Sequence, residues 1–163
     1  MPGHTRGDIE RFLAHERIAL VGVSRDARHF SRLLWREFRA RGYELVPVNP
    51  AMAEVDGVPC RASVEAIEPP VEAALVVTPA HASAKVVEDC ARAGVKDLWL
   101  YRGGPGGSVS EAALAGAAAH GMKVIAGECP FMFLPNAGWF HSLHRGLRWM
   151  SGRLPRREAA GDN

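Results

Sequence analysis

Five short apolar runs recur along the chain, at residues 18–23 (IALVGV), 43–48 (YELVPV), 73–77 (AALVV), 97–100 (DLWL) and 122–126 (MKVIA), and none alternates apolar with polar residues. A strand with one wet face would alternate, so these are expected to be buried on both faces, the condition of a parallel sheet covered by helices. Helical patterns stand between them. Three of these stop at a glycine, 31–41 at Gly42, 81–93 at Gly94 and 111–120 at Gly121, where the left-handed position past the last turn favours that residue. The order helix, glycine, strand predicts an α/β fold: a Rossmann-like open parallel sheet of about five strands with helices on both faces. Thr5 with Asp8 predicts a short leading helix, and Ser108 with Glu111 predicts the cap of the last helix. Residues 49–72 read as a connection within the fold, with an extended piece at 58–61 and one helical turn at 63–67.

A chain of 163 residues is the size of one compact domain with a real core. Its net charge of +2 is too mild to predict a nucleic-acid partner. Cys60, Cys90 and Cys129 match no zinc spacing and no CxxC, so no metal site or disulfide framework is expected and a reducing cytoplasm fits. No run approaches the roughly 20 apolar residues that span a bilayer, and none has the make-up of a signal peptide, so no membrane is expected. The distal stretch turns aromatic and then basic. Phe140, Leu143, Leu147, Met150 and Leu154 fall at helical spacing opposite His141, Arg145, Arg148 and Arg153, predicting a helical extension with one apolar stripe and a disordered end from Pro155.

The segment LVGVSRDARHFSRLLWREF, residues 20–38, carries the first strand into the first long helix. In an open α/β sheet this turn aims backbone N–H groups and the positive helix end at an anion. Gly22 lets a phosphate approach the backbone, the Ser24 hydroxyl can donate to it, and Ser31 can cap the helix or face the ligand. Arg25, Arg28 and Arg32 add positive charge nearby. A tight turn with solvated arginines is the bland alternative for so short a motif. A dinucleotide site would show GxGxxG here and an acid at the end of the second strand, whereas this chain has GVSRDA and then Asn49 and Pro50. The Walker pattern for a triphosphate is also missing from the sequence. An adenine nucleotide with differently spaced phosphates remains.

The ordered set of G-x-S, V-N-P and T-P-A at successive strand ends, with IALVGVSRD, SRLLWREFRARGYELVPVNP, GVPCRASVEAI, AALVVTPA, AGVKDLWL and GMKVIAGECP, resembles the stand-alone CoA-binding proteins. Their Rossmann-type domain also occurs in the α subunit of succinyl-CoA synthetase. The resemblance covers residues 9–130. It implies CoA as the ligand, with phosphate contacts at Gly22, Val23, Ser24 and Arg25 and a contact from Ser31 at the following helix. It further implies nucleotide contacts at Asn49 and Pro50 and ligand-facing backbone at Thr78, Pro79 and Ala80. His81, beside that strand end, is a further contact candidate. The expected division is a CoA-binding domain over 1–130 and an extension over 131–163 packed on the domain or on a second subunit, which leaves a homodimer or a protein partner open. The GGPGG loop at 103–107 and the aromatic tail depart from the family pattern.

No convergent nucleophile, base and orienting group can be named, so no catalytic residue is expected. Cys129 follows an apolar strand and reads more readily as filler than as a reactive thiol. His141 and His144 share a helix face without a third metal ligand. The favoured reading is a CoA- or acyl-CoA-binding protein without its own turnover. An NAD(P)-binding or reductase-like protein is the first alternative, and a CoA- or redox-sensing regulator is the second.

Overall fold

The structure, a computed structural model, describes residues 3–101 and 107–135. The helices are α1 (Arg6–Leu13), α2 (Phe30–Ala40), α3 (Ala80–Arg92) and α4 (Glu111–Ala119). Five strands form a parallel sheet: β1 (Arg17–Val21), β2 (Glu44–Val48), β5 (Ala73–Val76), β6 (Asp97–Leu100) and β7 (Lys123–Ala126). Their spatial order is β2-β1-β5-β6-β7. Between β2 and β5, the two-residue strands β3 (Glu54–Val55) and β4 (Val58–Pro59) make a hairpin, followed by a 3₁₀ turn at Val64–Ala66. The expected α/β sheet is thus present among the described residues, and the extension beyond Pro135 lies outside them.

Successive strand residues feed opposite cores, as the absence of polar alternation requires. Ala19, Val21, Ala74, Val76, Leu98 and Leu100 pack with α3 and α4, through Val87, Cys90, Ala113 and Ala117. Ile18, Leu20, Leu75 and Trp99 pack on the other face with α1 and α2, through Phe12, Leu34, Trp35 and Phe38. Each large side chain buried this way contributes roughly 1.5–3 kcal/mol. Trp99 anchors the second core: its ring meets Phe12 edge-on at 5.2 Å, and its Nε1 donates to the Glu128 carbonyl at 3.0 Å. Pro47 sits within β2, which is tolerable because β2 is an edge strand and its missing N–H would have faced away from the sheet.

The leading helix is capped as its sequence predicts. The Asp8 amide donates to Thr5 Oγ1 and the Thr5 amide to Asp8 Oδ2, and these bonds with Arg11 hold the Asp8 carboxyl far below the ordinary carboxylate range. The last helix is not. Ser110 caps α4, its Oγ accepting from the Ala113 amide, while Ser108 lies in the core and serves another purpose described below. The spacing rule chose Ser108 because it sees only sequence distance; the extended backbone at Ser110 decides which serine reaches the free amides. The glycines at 42, 94 and 121 all have positive φ, as expected of residues that end helices.

Candidate functional site

The order of the sheet dictates where a ligand can enter. From β1 the chain leaves through α2 towards β2, and from β5 it leaves through α3 towards β6, on the opposite face and in the opposite direction. The carboxyl ends of β1 and β5 therefore face a crevice that no connection crosses, the place where open α/β sheets bind ligands. Gly22 follows β1 with φ of 98°, and a Cβ there would stand 2.7 Å from Thr78 Cγ2 and 2.9 Å from the Thr78 amide nitrogen. No side chain fits. The two strand ends consequently approach backbone to backbone. Among the described residues the amides of Val23, Arg25 and Thr78 have no protein acceptor, and Thr78 Oγ1 is buried without a partner. A cleft of about 490 Å³ opens beside them, lined by Gly22, Asn49, Pro50, Thr78, Lys85 and Val86 among others.

The β1–α2 loop is held in shape by its own side chains. Ser31 is fully buried, and its Oγ accepts from the Ser24 amide at 2.9 Å while lying 2.9 Å from His29 Nδ1, which also accepts the Ser31 amide. Asp26 closes the turn by accepting from the Arg28 amide at 2.9 Å. Asn49 spends both ends of its amide inside the fold, Nδ2 donating to the Val23 carbonyl at 2.7 Å and Oδ1 accepting from the Ala51 amide at 2.8 Å. Arg32 is also engaged. Its Nη2 donates to Asp56 Oδ1 at 2.5 Å, Trp35 Nε1 donates to Asp56 Oδ2 at 3.0 Å, and Nη1 reaches the Ser24 carbonyl at 3.4 Å. That network ties the loop and α2 to the tip of the β3–β4 hairpin. Arg25 donates to the Ala51 carbonyl and bridges the loop to the end of β2, whereas Arg28 is almost wholly exposed, 3.6 Å from Asp26.

A glycine cradle and three free amides at the switch point of a parallel sheet suit a phosphate-bearing ligand. The profile of the CoA binding domain family matches residues 16–135. This chain belongs to that family. It is similar to acetate–CoA ligase [ADP-forming] I of Archaeoglobus fulgidus, 26% identical over 127 residues, which are 74% of this chain and 18% of the ligase. The chain thus spans less than a fifth of that enzyme's length. The uncharacterized protein YneT of Bacillus subtilis is nearer in size, 27% identical over 63% of this chain and 77% of its own. Among solved structures, a hypothetical protein from Pyrococcus horikoshii superposes with a TM-score of 0.70 at 27% identity, covering 80% of this chain and 89% of that one.

Within this domain the residues singled out from the sequence divide into three groups. Gly22, Val23, Ser24, Arg25, Asn49, Pro50, Thr78, Pro79 and Ala80 gather around the crevice at neighbouring strand ends. Ser31 and Arg32 are buried behind the loop and act on it, and Arg28 and His81 are exposed. Two residues of the site escape sequence reasoning. Ser108 Oγ lies 2.9 Å from the Val76 carbonyl and 2.7 Å from the Thr78 carbonyl, so its hydroxyl ties down the end of β5 beside the free Thr78 amide. Lys85, whose Nζ is 3.0 Å from Asp89 Oδ2, brings a cation to the cleft wall from the second turn of α3. Neither has a local signature; a lysine at the cleft end of the helix after T-P-A is the sole hint.

None of the three thiols lines this cleft. Cys90 is fully buried and burial pushes its thiol up to about 12, and burial also raises that of Cys60. Cys129 is half-buried just before the 3₁₀ turn Pro130–Met132, more open than the core filler its sequence suggests. Among the described residues no cluster of His, Cys, Asp or Glu could hold a metal, and no helix is long and apolar enough to cross a membrane. His141, His144, the apolar stripe and most of the GGPGG loop lie outside the described residues.

Proposed function

We propose that the crevice binds CoA, free or acylated, by its nucleotide end, and that the chain carries out no chemistry of its own. The observation that supports this is the coincidence of Gly22, with no room for a Cβ against Thr78, and the unpartnered Val23, Arg25 and Thr78 amides. The diphosphate lies against the loop 22–25, where backbone donors meet the positive end of α2. The adenosine occupies the cleft beside Pro50, Val64, Ala82 and Val86. Arg25, with Arg28 at the loop surface, is the cation for the 3′-phosphate through a charge-assisted fork. Ser31, Arg32 and Asn49 act indirectly, by holding the loop that presents the amides.

The reading without turnover is supported by the surroundings of the cleft. The Ser31–His29 contact resembles a nucleophile with its base, yet Ser31 is fully buried and its oxygen already accepts the Ser24 amide. NAD is disfavoured because the end of β2 offers Asn49, whose amide is consumed internally, in place of a carboxylate for the ribose hydroxyls. A reducing cytoplasm is the compartment that fits three unpaired cysteines, Cys60, Cys90 and Cys129. Calorimetric titration with CoA, dephospho-CoA, NAD and NADP at fixed ionic strength tests the reading. CoA is expected to bind most tightly and to lose affinity with salt; tighter binding of NAD would transfer the site to a dinucleotide.

A further inference from the structure

β2 is an edge strand, and only half of its outer side is covered. The Glu44 amide donates to Glu16 and the Val48 carbonyl accepts from Gly22, so even-numbered residues of β2 turn their backbone groups towards β1. Odd-numbered ones turn outward. Pro47 and Asn49 meet Arg61 there, through Arg61 N–H to the Pro47 carbonyl at 2.8 Å and Asn49 N–H to the Arg61 carbonyl at 3.0 Å. Leu45 has no such neighbour: among the described residues its outward N–H and C=O are both without a partner. From Arg61 back to Val58 the covering segment diverges from β2 and leaves a groove of about 460 Å³ against Leu45.

Three arginines border this groove. Arg17 is taken by Glu44 Oε1 at 2.9 Å and by the Glu68 and Pro69 carbonyls. Arg39 meets the face of Trp35, 4.7 Å from its centroid, and has no carboxylate partner among the described residues; Arg61 has none either. A free anion would satisfy the guanidinium groups and the Leu45 N–H but would be repelled by the Leu45 carbonyl beside it. An extended peptide answers all of them, its backbone pairing with both groups of Leu45 and its acidic side chains with Arg39 and Arg61. We propose that this groove binds an extended acidic segment of a partner protein, added as a short parallel or antiparallel strand to the open half of β2. The site is separate from the nucleotide cleft and stands whether or not CoA is the ligand there.

The test is titration of the isotope-labelled protein with an acetylated, amidated Glu-Val-Glu-Val-Glu peptide and with its Lys-Val counterpart, following backbone amides. Saturable shifts are expected at Leu45 and Arg61 with the acidic peptide and not with the basic one. The variant Arg39→Glu/Arg61→Glu should bind the acidic peptide at least tenfold more weakly while keeping its CoA titration, its melting temperature falling only by the loss of the Arg39–Trp35 contact and of a cation from the end of α2. Arg61→Glu alone, which leaves the Trp35 contact intact, should lose a smaller part. Equal response to both peptides, no saturable shift at Leu45, or shifts confined to Gly22 and Thr78 would each overturn the proposal.

Discussion

The two ends of the sheet are built on opposite accounts of polar groups. At the amino ends of the strands, charges are matched: Asp97, nearly buried, takes Arg11 Nε at 2.7 Å and His15 Nε2 at 2.9 Å. Around it Arg17 meets Glu44 at 2.9 Å and Lys96 meets Glu72 at 2.5 Å, which raises the Lys96 ammonium and lowers the Glu72 carboxyl. At the carboxyl ends of β1 and β5, three amides and the Thr78 hydroxyl are left unmatched. An unmet buried donor such as the Thr78 hydroxyl costs about 1–3 kcal/mol, which the packing of the rest of the sheet must offset. The difference separates residues that hold the sheet together from residues whose donors stand open, the feature on which the proposed ligand site rests.

Changes at either end should therefore fall on different measurements. The largest effect is expected where the two coincide: Gly22→Ala forces a Cβ against Thr78 at a φ that L residues rarely adopt, costing about 3 kcal/mol and abolishing CoA binding. Thermal melting and calorimetry read both, and an unperturbed titration would show that the strand ends do not hold the ligand. Asp97→Ala strips the matched end of its central acid. It should lower stability by about 2 kcal/mol, discounted for the exposed side of Arg11, with CoA affinity in the surviving folded fraction unchanged.

Arg25→Ala should do the reverse, weakening CoA about tenfold, or about 1.4 kcal/mol, while stability changes by less than about 0.5 kcal/mol. Equal losses for CoA and dephospho-CoA would move the arginine from the 3′-phosphate to the diphosphate. The smallest effect belongs to the α1 cap. The Asp8 carboxyl is held low by the Thr5 amide first and by Arg11 next, so its contribution is full above the ordinary carboxylate range and is lost progressively as pH falls from that range down through the depressed folded value. Asp8→Ala, which removes the titrating carboxyl and its half of the cap, should cost about 1 kcal/mol at pH 7 and flatten the acid limb of the melting curve. An acid limb identical to that of the unchanged protein would place acid sensitivity elsewhere.

Much of the open end was legible in advance, because it is made of backbone. Gly22 after an apolar run, Asn-Pro after the second and Thr-Pro-Ala after the third mark strand ends by local rules, and the fold brings them to neighbouring strands. The side chains were less legible. Arg32 looked like one of three loop cations, but its carboxylate partner Asp56 lies 24 residues away in a hairpin turn, and Asp56 is shared with Trp35. A charge cluster in sequence does not say which member is consumed by the core.

What the sequence by itself determined is the set of elements: apolar runs without alternation fix strands buried on both faces, and glycines that must take positive φ fix where helices end. These are nearest-neighbour properties, and they survive any arrangement of the pieces. What only the tertiary structure decided is who meets whom. The order β2-β1-β5-β6-β7 sets Gly22 against Thr78, pulls Ser108 from a helix cap to the end of β5, and turns Ser31, Arg32 and Asn49 inward to brace the loop. The physical reason is that a buried hydrogen-bonding group must find its partner wherever packing puts one, and packing acts across distances in the chain that no local pattern spans.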